Sequence, residues 1–115
     1  MHPLLDELRD LDVRANALWK LGVEDGRRGH EQAREEYKAI KEHLALRLKE
    51  FERREAAHLD LWISSTFSGT LRKAHIAMRS PTNTSPSNDR WRSSVYDLCH
   101  EIGYGLASLS KGLSQ

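Results

Sequence analysis

The chain has 115 residues and a mass of 13.2 kDa, with 38% hydrophobic and 30% charged residues and a net charge of +1 at pH 7. This is the size of one domain with a modest core and a very polar surface. The near balance of charge excludes an overall positive field that would draw the chain to nucleic acid or to an acidic membrane.

The longest uncharged run, residues 61–71, is far shorter than the ~20 residues that a membrane span requires. Charged side chains follow Met1 too closely for a signal peptide. The single cysteine excludes an internal disulfide framework, and we expect a cytoplasmic protein with no membrane contact.

The first predicted helix spans residues 3–21. Its apolar residues recur every three or four positions, which is the period of one helical face: Leu4, Leu8, Leu11, Ala15 and Leu18. Pro3 suits the first turn of this helix, because its missing N–H has no acceptor there. Three glycines, Gly22, Gly26 and Gly29, then predict a turn, with Gly22 as the C-terminal cap.

The second predicted helix spans residues 31–66 and is rich in charge. Its apolar face consists of Ala33, Tyr37, Ile40, Leu44, Leu48 and Phe51. No residue between 31 and 64 breaks a helix, and a continuous helix there would be roughly 50 Å long, longer than a compact globule of this mass. Two interpretations follow. The helix bends near Ala56, or it projects and pairs with another chain.

The polar, β-branched and glycine content of residues 64–69 weakens the helix there. A short helix is predicted over residues 69–79, followed by a loop over 80–88 that contains two prolines. The last predicted helix spans 88–113, with Ser87 or Asn88 as its cap. Its apolar face is the most regular in the chain: Trp91, Val95, Leu98, Ile102, Leu106, Leu109 and Leu113. Gly103 and Gly105 lie off this face, where they allow close helix approach.

These patterns predict an all-α protein with a single domain over residues 1–115. We expect three to four helices in a bundle, one of them long and charged. Narrow apolar stripes flanked by charges are typical of helices that pair with other helices, so we also expect self-association, as a homodimer.

Two short patterns could serve metal chemistry. Glu55 and His58, and likewise Asp97 and His100, are three residues apart, which places a carboxylate and an imidazole on one helical face. A complete site needs two further carboxylates, and nothing in the sequence marks them. We therefore expect surface pairs and predict neither a metal nor another cofactor.

No pattern indicates a catalytic site. Cys99 and His100 are adjacent, but neighbours on a helix point about 100° apart and cannot form a dyad. The chain has no nucleophile elbow, phosphate loop or dinucleotide fingerprint. We predict that the protein is not an enzyme and has no catalytic residues.

The charge is unevenly distributed along the chain. Residues 1–60 carry a net charge of −2 and residues 61–115 a net charge of +3. The excess, which we call the basic patch, flanks the polar loop and consists of Arg72, Lys73, His75, Arg79, Arg90 and Arg92. Basic helix ends beside a polar loop suit phosphate contacts, so nucleic-acid or ribonucleoprotein binding is one hypothesis. Ordinary solvated helix ends are the alternative, with Trp91 in the core.

Gly22, Gly26 and Gly29, followed by Tyr37, resemble the glycine-tyrosine signature of ribosome modulation factor, a small bacterial protein that binds the ribosome. The resemblance covers residues 22–37 only. It departs from the family at Glu36, where the family has proline, and at Val23, where it has an aromatic residue. Members of the family are also shorter and strongly basic. The resemblance implies a bacterial or mobile-element origin without extending to ribosome binding, and a simple turn between helices is the alternative explanation for the glycines.

Leu59, Leu61, Trp62 and Ile63 cover too much of the helix circumference for one narrow stripe. Such a segment is buried on several sides, either within the monomer or against a partner. If it is an interface, Leu59, Trp62 and Ile63 are the predicted contacts, with Trp62 as the anchor. The leading hypothesis is therefore a non-enzymatic helical adaptor or inhibitor from a bacterium, phage or mobile element, which acts by binding another macromolecule, with a protein as the expected partner. Binding of nucleic acid by the basic patch is the alternative.

Overall fold

The computed structural model describes residues 2–24 and 26–114. Within these residues the protein is all-α and contains no strand. The four α-helices are α1 (Pro3–Trp19), α2 (His30–Arg54), α3 (Leu61–Ala77) and α4 (Asp89–Leu113). A π-helical turn (Lys20–Glu24) and a 3-10 turn (Gly26–Gly29) follow α1, and another 3-10 turn (Ala56–His58) precedes α3. The predicted all-α bundle is thus confirmed.

The helices run alternately up and down. The α4 helix packs between α1 and α3, and α2 packs against α3. An ion pair between Arg14 and Glu36 joins α1 to α2. The protein measures 44 × 26 × 19 Å. No helix in the described part of the chain is both long enough and apolar enough to span a membrane.

The α1 and α4 helices begin where the sequence predicts them, but the predicted cap at Gly22 is wrong, because α1 ends at Trp19 and Gly22 lies within the π-helical turn that follows. Pro3 occupies the first turn of α1, and the His2 imidazole accepts a hydrogen bond from the Leu4 amide at 3.1 Å. The Asn88 side chain accepts from the Arg90 amide at 2.8 Å, which confirms Asn88 as the cap of α4. Each cap satisfies an amide that the helix itself leaves without an acceptor.

The prediction of one helix over residues 31–66 is wrong. The α2 helix ends at Arg54, and α3 begins at Leu61 and continues to Ala77. In a continuous helix Phe51 and Phe67 would be roughly 24 Å apart, whereas their ring centroids are 4.7 Å apart in the core. The free energy gained by burying both rings therefore exceeds the free energy that a continuous helix through residues 55–60 would provide. Of the two interpretations from sequence, the chain takes the first and turns near Ala56.

The predicted interruption at residues 64–69 is also wrong, because α3 runs through it. Two hydroxyl groups in or next to this segment are satisfied by the helix itself. Ser64 donates to the Leu61 carbonyl at 3.1 Å, and Thr70 donates to the Thr66 carbonyl at 2.7 Å. The same segment buries Phe67 completely, so tertiary packing keeps it helical.

The core follows the predicted apolar stripes. Its largest fully buried side chains are Trp91, Tyr37, Phe51 and Phe67, surrounded by leucine and isoleucine from all four helices. Gly105 provides the expected close approach, because a Cβ there would overlap Thr70 of α3. Gly103 does not, since the nearest atom to its Cβ position is Asp12 Oδ1 at 3.8 Å.

Candidate interaction surface

The three residues predicted to bind a partner lie at the start of α3 but differ in exposure. Trp62 keeps 43% of its surface exposed, while Leu59 is half-buried against the core. Ile63 is only 8% exposed and belongs to the core, so it supports the helix from inside instead of offering a surface. Leu61, at 81%, is the most exposed of the group. We call Leu61 and Trp62 the Leu61–Trp62 patch.

The Trp62 ring rests on the last turns of α4. A Cβ at Gly112 would overlap the six-membered part of the indole, so the ring lies directly on helix backbone. One side of the indole is thereby fixed and the remainder faces solvent. A fixed aromatic ring loses little conformational entropy when a partner covers it, which is why such rings are effective anchors.

A cavity of about 210 Å³ lies further along the same two helices. We call it the α3–α4 groove. Its walls carry small or hydroxyl side chains, together with one charged residue from each helix and an aromatic rim residue: Ser65, Thr66, Gly69, Thr70 and Lys73 from α3, and Glu101, Tyr104, Gly105 and Ser108 from α4. No sequence pattern predicted the groove. Tyr104, an aromatic residue off the apolar stripe of α4, is the signal that could have indicated it.

The basic patch is divided between different sides of the bundle. Arg72 faces α2, where it pairs with Glu52, whereas Lys73 lines the α3–α4 groove. His75 is half-buried and Arg90 is exposed. The six predicted residues therefore do not form one continuous cationic face.

Two arginines of the basic patch act within the fold. Arg79 pairs with Asp97 at 2.9 Å and donates to Ser93 at 2.7 Å. Arg92 donates to the Pro86 carbonyl at 3.2 Å, which ties the polar loop to α4. Carboxylate partners reduce the charge that Arg72 and Arg79 can offer to a phosphate.

The two carboxylate–imidazole pairs are not brought together. Glu55 lies in the turn after α2 and pairs with Arg47, while Asp97 pairs with Arg79. Among residues 2–24 and 26–114, no group of three or more His, Cys, Asp and Glu side chains is placed to hold a metal ion.

Cys99 faces α1, beside a cavity that it shares with Asn16, Trp19, Tyr96 and His100. Burial, together with the negative charge of Asp12, raises the pKa of the thiol to about 11. Because the thiolate is the nucleophile, a raised pKa makes this thiol a poor one at neutral pH.

We therefore predict slow alkylation of Cys99. A cysteine thiol with the ordinary pKa of 9.0 has a thiolate fraction at pH 8 that is about 100-fold larger than the fraction expected for Cys99. The rate of reaction with iodoacetamide, followed by mass spectrometry from pH 7 to 11, is expected to keep rising to the top of this range. An inflection near pH 9 or below would contradict the prediction. N-acetylcysteine serves as the control, and Asp12→Asn is expected to speed the reaction.

Residues of the glycine-tyrosine signature have structural roles. A Cβ at Gly22 would overlap the Trp91 ring, and one at Gly29 would overlap the Leu21 carbonyl. Gly22 and Gly29 thus allow the turn after α1 to lie directly on α4 and on itself.

Tyr37 is completely buried and anchors the polar loop. Its hydroxyl accepts from the Ser80 amide at 3.1 Å and lies 2.9 Å from the Ser94 hydroxyl, which donates to the Ala77 carbonyl at 2.7 Å. Burial raises the pKa of Tyr37 against the opposing effect of these hydrogen bonds. The network connects α2, α4 and the first residues after α3, so it fixes where the loop begins.

Arg47 of α2 forms a cluster that no sequence pattern indicated. Its guanidinium bonds Glu7 of α1 at 2.7 and 2.9 Å and also bonds Glu55. The same group lies over the rings of Phe51 and Phe67, at 5.7 and 5.6 Å from their centroids. We call these residues the Arg47 cluster. It joins α1, α2 and α3 at the turn where the predicted long helix breaks.

Comparisons of this chain with models of known families, with curated proteins and with solved structures found no match.

Proposed function

We propose that this chain is a non-enzymatic, cytoplasmic interaction protein that acts by binding another macromolecule, as an adaptor or inhibitor. The contact surface is the Leu61–Trp62 patch. The observation that carries this proposal is the pairing of an almost fully exposed leucine with a tryptophan whose ring is fixed on Gly112 and remains 43% exposed.

Burial of this patch against a partner is energetically favourable. Full burial of a leucine side chain contributes about 2 kcal/mol, and the exposed part of the indole adds to it. Aromatic anchors beside apolar neighbours are common at the energetic centres of protein interfaces. Leu46 of α2 is also exposed, at 69%, but it stands among charged neighbours without a fixed aromatic ring.

Site-specific photo-crosslinking tests the proposal. A benzophenone amino acid is placed at Leu61 in one variant and at Leu46 in another, which is a control of similar exposure and character. We expect crosslinked products from position 61 only, and we expect Trp62→Ala to abolish them. Equal crosslinking from both positions, or none from position 61, would overturn the proposal.

Nucleic-acid binding is the alternative outcome. Among the described residues, Lys73 and Arg90 of the basic patch form no ion pair with a carboxylate. If the natively purified protein carries excess absorbance at 260 nm that disappears in high salt, the function belongs to the basic patch and not to the Leu61–Trp62 patch. A protein-like spectrum at low salt excludes this alternative.

A further inference from the structure

The register of α3 against α4 is fixed by two glycine contacts. Trp62 lies against Gly112, and Thr70 lies against Gly105. The two helices are therefore antiparallel, so residues one turn after Thr70 are level with residues one turn before Gly105. This places Lys73 level with Glu101, on opposite walls of the α3–α4 groove.

Lys73 and Glu101 face each other across the groove without pairing. Both line it, yet among the described residues no ion pair joins them. Each helix thus presents, at the same height, a charge that no ion pair engages in the described residues, positive on α3 and negative on α4. A surface of this kind is complementary to itself.

Gly69 and Tyr104 form a second complementary pair at one height. A Cβ at Gly69 would meet nothing within 4 Å, so packing within the chain does not require the glycine. Glycine in mid-helix nevertheless destabilises a helix by about 1 kcal/mol relative to alanine. Tyr104 stands on the opposite wall with 65% of its surface exposed. The groove therefore has a depression on α3 and a projecting ring on α4.

We infer that the α3–α4 groove is the interface between two copies of this chain, related by a two-fold axis parallel to the helices. This inference goes beyond the proposed function, because it assigns a second surface, next to the Leu61–Trp62 patch, to a second copy of the chain. Rotation about such an axis lays α3 of one copy over α4 of the other at the same height. Lys73 then meets the partner's Glu101, and Tyr104 enters the depression at the partner's Gly69. Symmetry forms each contact twice.

A second copy fits this surface better than an unrelated protein. An unrelated partner could bind a surface of any charge and shape. It would not require a positive and a negative charge at one height, or a depression and a projecting ring at one height. A single two-fold rotation satisfies the charge pair and the aromatic contact together. The exposed edge of Trp62 lies on the same pair of helices, so this arrangement also covers part of it.

Charge exchange tests the inference. Analytical ultracentrifugation of the full chain across a range of concentrations is expected to give twice the 13.2 kDa chain mass. Lys73→Glu and Glu101→Lys each place like charges together at two symmetric positions and are expected to weaken dimerisation about 100-fold. The double exchange is expected to restore the dimer. Lys38→Glu, an equal charge change on the exposed side of α2, is expected to leave the mass unchanged.

A steric variant keeps the test independent of charge. Gly69→Gln fills the depression from a Cβ position that has no neighbouring atom within 4 Å, and we expect it to weaken the dimer at least tenfold. Gly103→Gln, on the α1 side of α4, is the matched control and is expected to dimerise normally. Thermal melting of every variant verifies that each one is folded.

Several results would overturn the inference. The inference fails if the wild-type protein is monomeric at the highest concentration. It also fails if the Lys73→Glu variant still dimerises, or if the variant that carries both exchanges stays monomeric. Its failure is distinguishable from that of the proposed function. Crosslinks from position 61 to another protein, with a monomeric wild type, would support the proposed function and reject the dimer. A restored dimer without crosslinks from position 61 would do the reverse.

Discussion

Replacement of Arg47 by methionine is expected to lower the free energy of unfolding by about 3 kcal/mol, because it leaves carboxylates without their cation. The Arg47 side chain is only 14% exposed, and its partners Glu7 and Glu55 are 27% and 37% exposed. Removal of one partner from a buried ion pair usually destabilises by 3–5 kcal/mol or so, and partial exposure places this case at the lower end. Methionine retains apolar contact with Phe51 and Phe67, so the effect measured by urea unfolding reports mainly the lost charge.

Arg72→Met is the matched control. Arg72 pairs with Glu52, but both side chains are about half exposed, at 52% and 46%. An exposed ion pair contributes about 0–1 kcal/mol, so this variant is expected to unfold close to wild type. Equal effects of the two substitutions would contradict the assignment of the Arg47 cluster as a structural junction.

The same substitution has a predicted signature in acid. The hydrogen bond from Arg47 holds the pKa of Glu55 below its ordinary value of 4.5. A group with a lowered pKa in the folded state stabilises the protein above its unfolded pKa, and this contribution is lost as the pH falls through the folded pKa. Wild type is therefore expected to lose stability below about pH 4.5 more steeply than Arg47→Met. Parallel curves for the two proteins between pH 6 and pH 2 would show that Glu55 does not depend on Arg47.

Local patterns predicted most of this fold because a helix buries its apolar face at regular spacing. The stripes of α1 and α4, the cap at Asn88 and the loop after α3 were all accessible from sequence. The length of the second predicted helix allowed a bend near Ala56 but did not require the break after Arg54, because no glycine or proline marks it. The break arises from contacts between residues far apart in the chain, such as Phe51 with Phe67 and Arg47 with Glu7. Periodicity carries no information about such contacts.

The candidate surface was predictable only in part, for a related reason. Composition marked the segment around Trp62 as too apolar for one stripe, and in the structure Trp62 keeps 43% of its surface exposed. Which of its neighbours face solvent depends on the direction of α3 after the turn, and this direction places Ile63 inside and Leu61 outside. The α3–α4 groove combines residues of two helices in a register set by Gly105 and Gly112. A linear sequence gives no such register.

The contact between Gly22 and Trp91 leads to the second large prediction. Gly22→Ala is expected to lower the free energy of unfolding by about 2–3 kcal/mol, because the new methyl group overlaps a ring that is 1% exposed and has no room to move. The backbone at Gly22 is not in the left-handed region, so alanine is excluded by the ring alone. Gly103→Ala, where the nearest atom is 3.8 Å from the Cβ position, is the control and is expected to stabilise by about 0.5–1 kcal/mol.

A double-mutant cycle separates this overlap from any other effect of alanine. Trp91→Phe removes the distal atoms of the indole that a Cβ at Gly22 would meet, and it also removes the buried Trp91 Nε1–H, which has no hydrogen-bond partner in the described residues. In the Trp91→Phe background, Gly22→Ala is expected to destabilise by less than about 1 kcal/mol, a coupling of roughly 1.5–2 kcal/mol with the ring. Additive effects of the two substitutions would show that Gly22 serves the turn itself and not its contact with α4. Strong coupling between Gly22→Ala and Trp91→Phe would instead assign Gly22 to helix packing. The absence of a Cβ atom at position 22 would then be what allows the turn to pack onto Trp91.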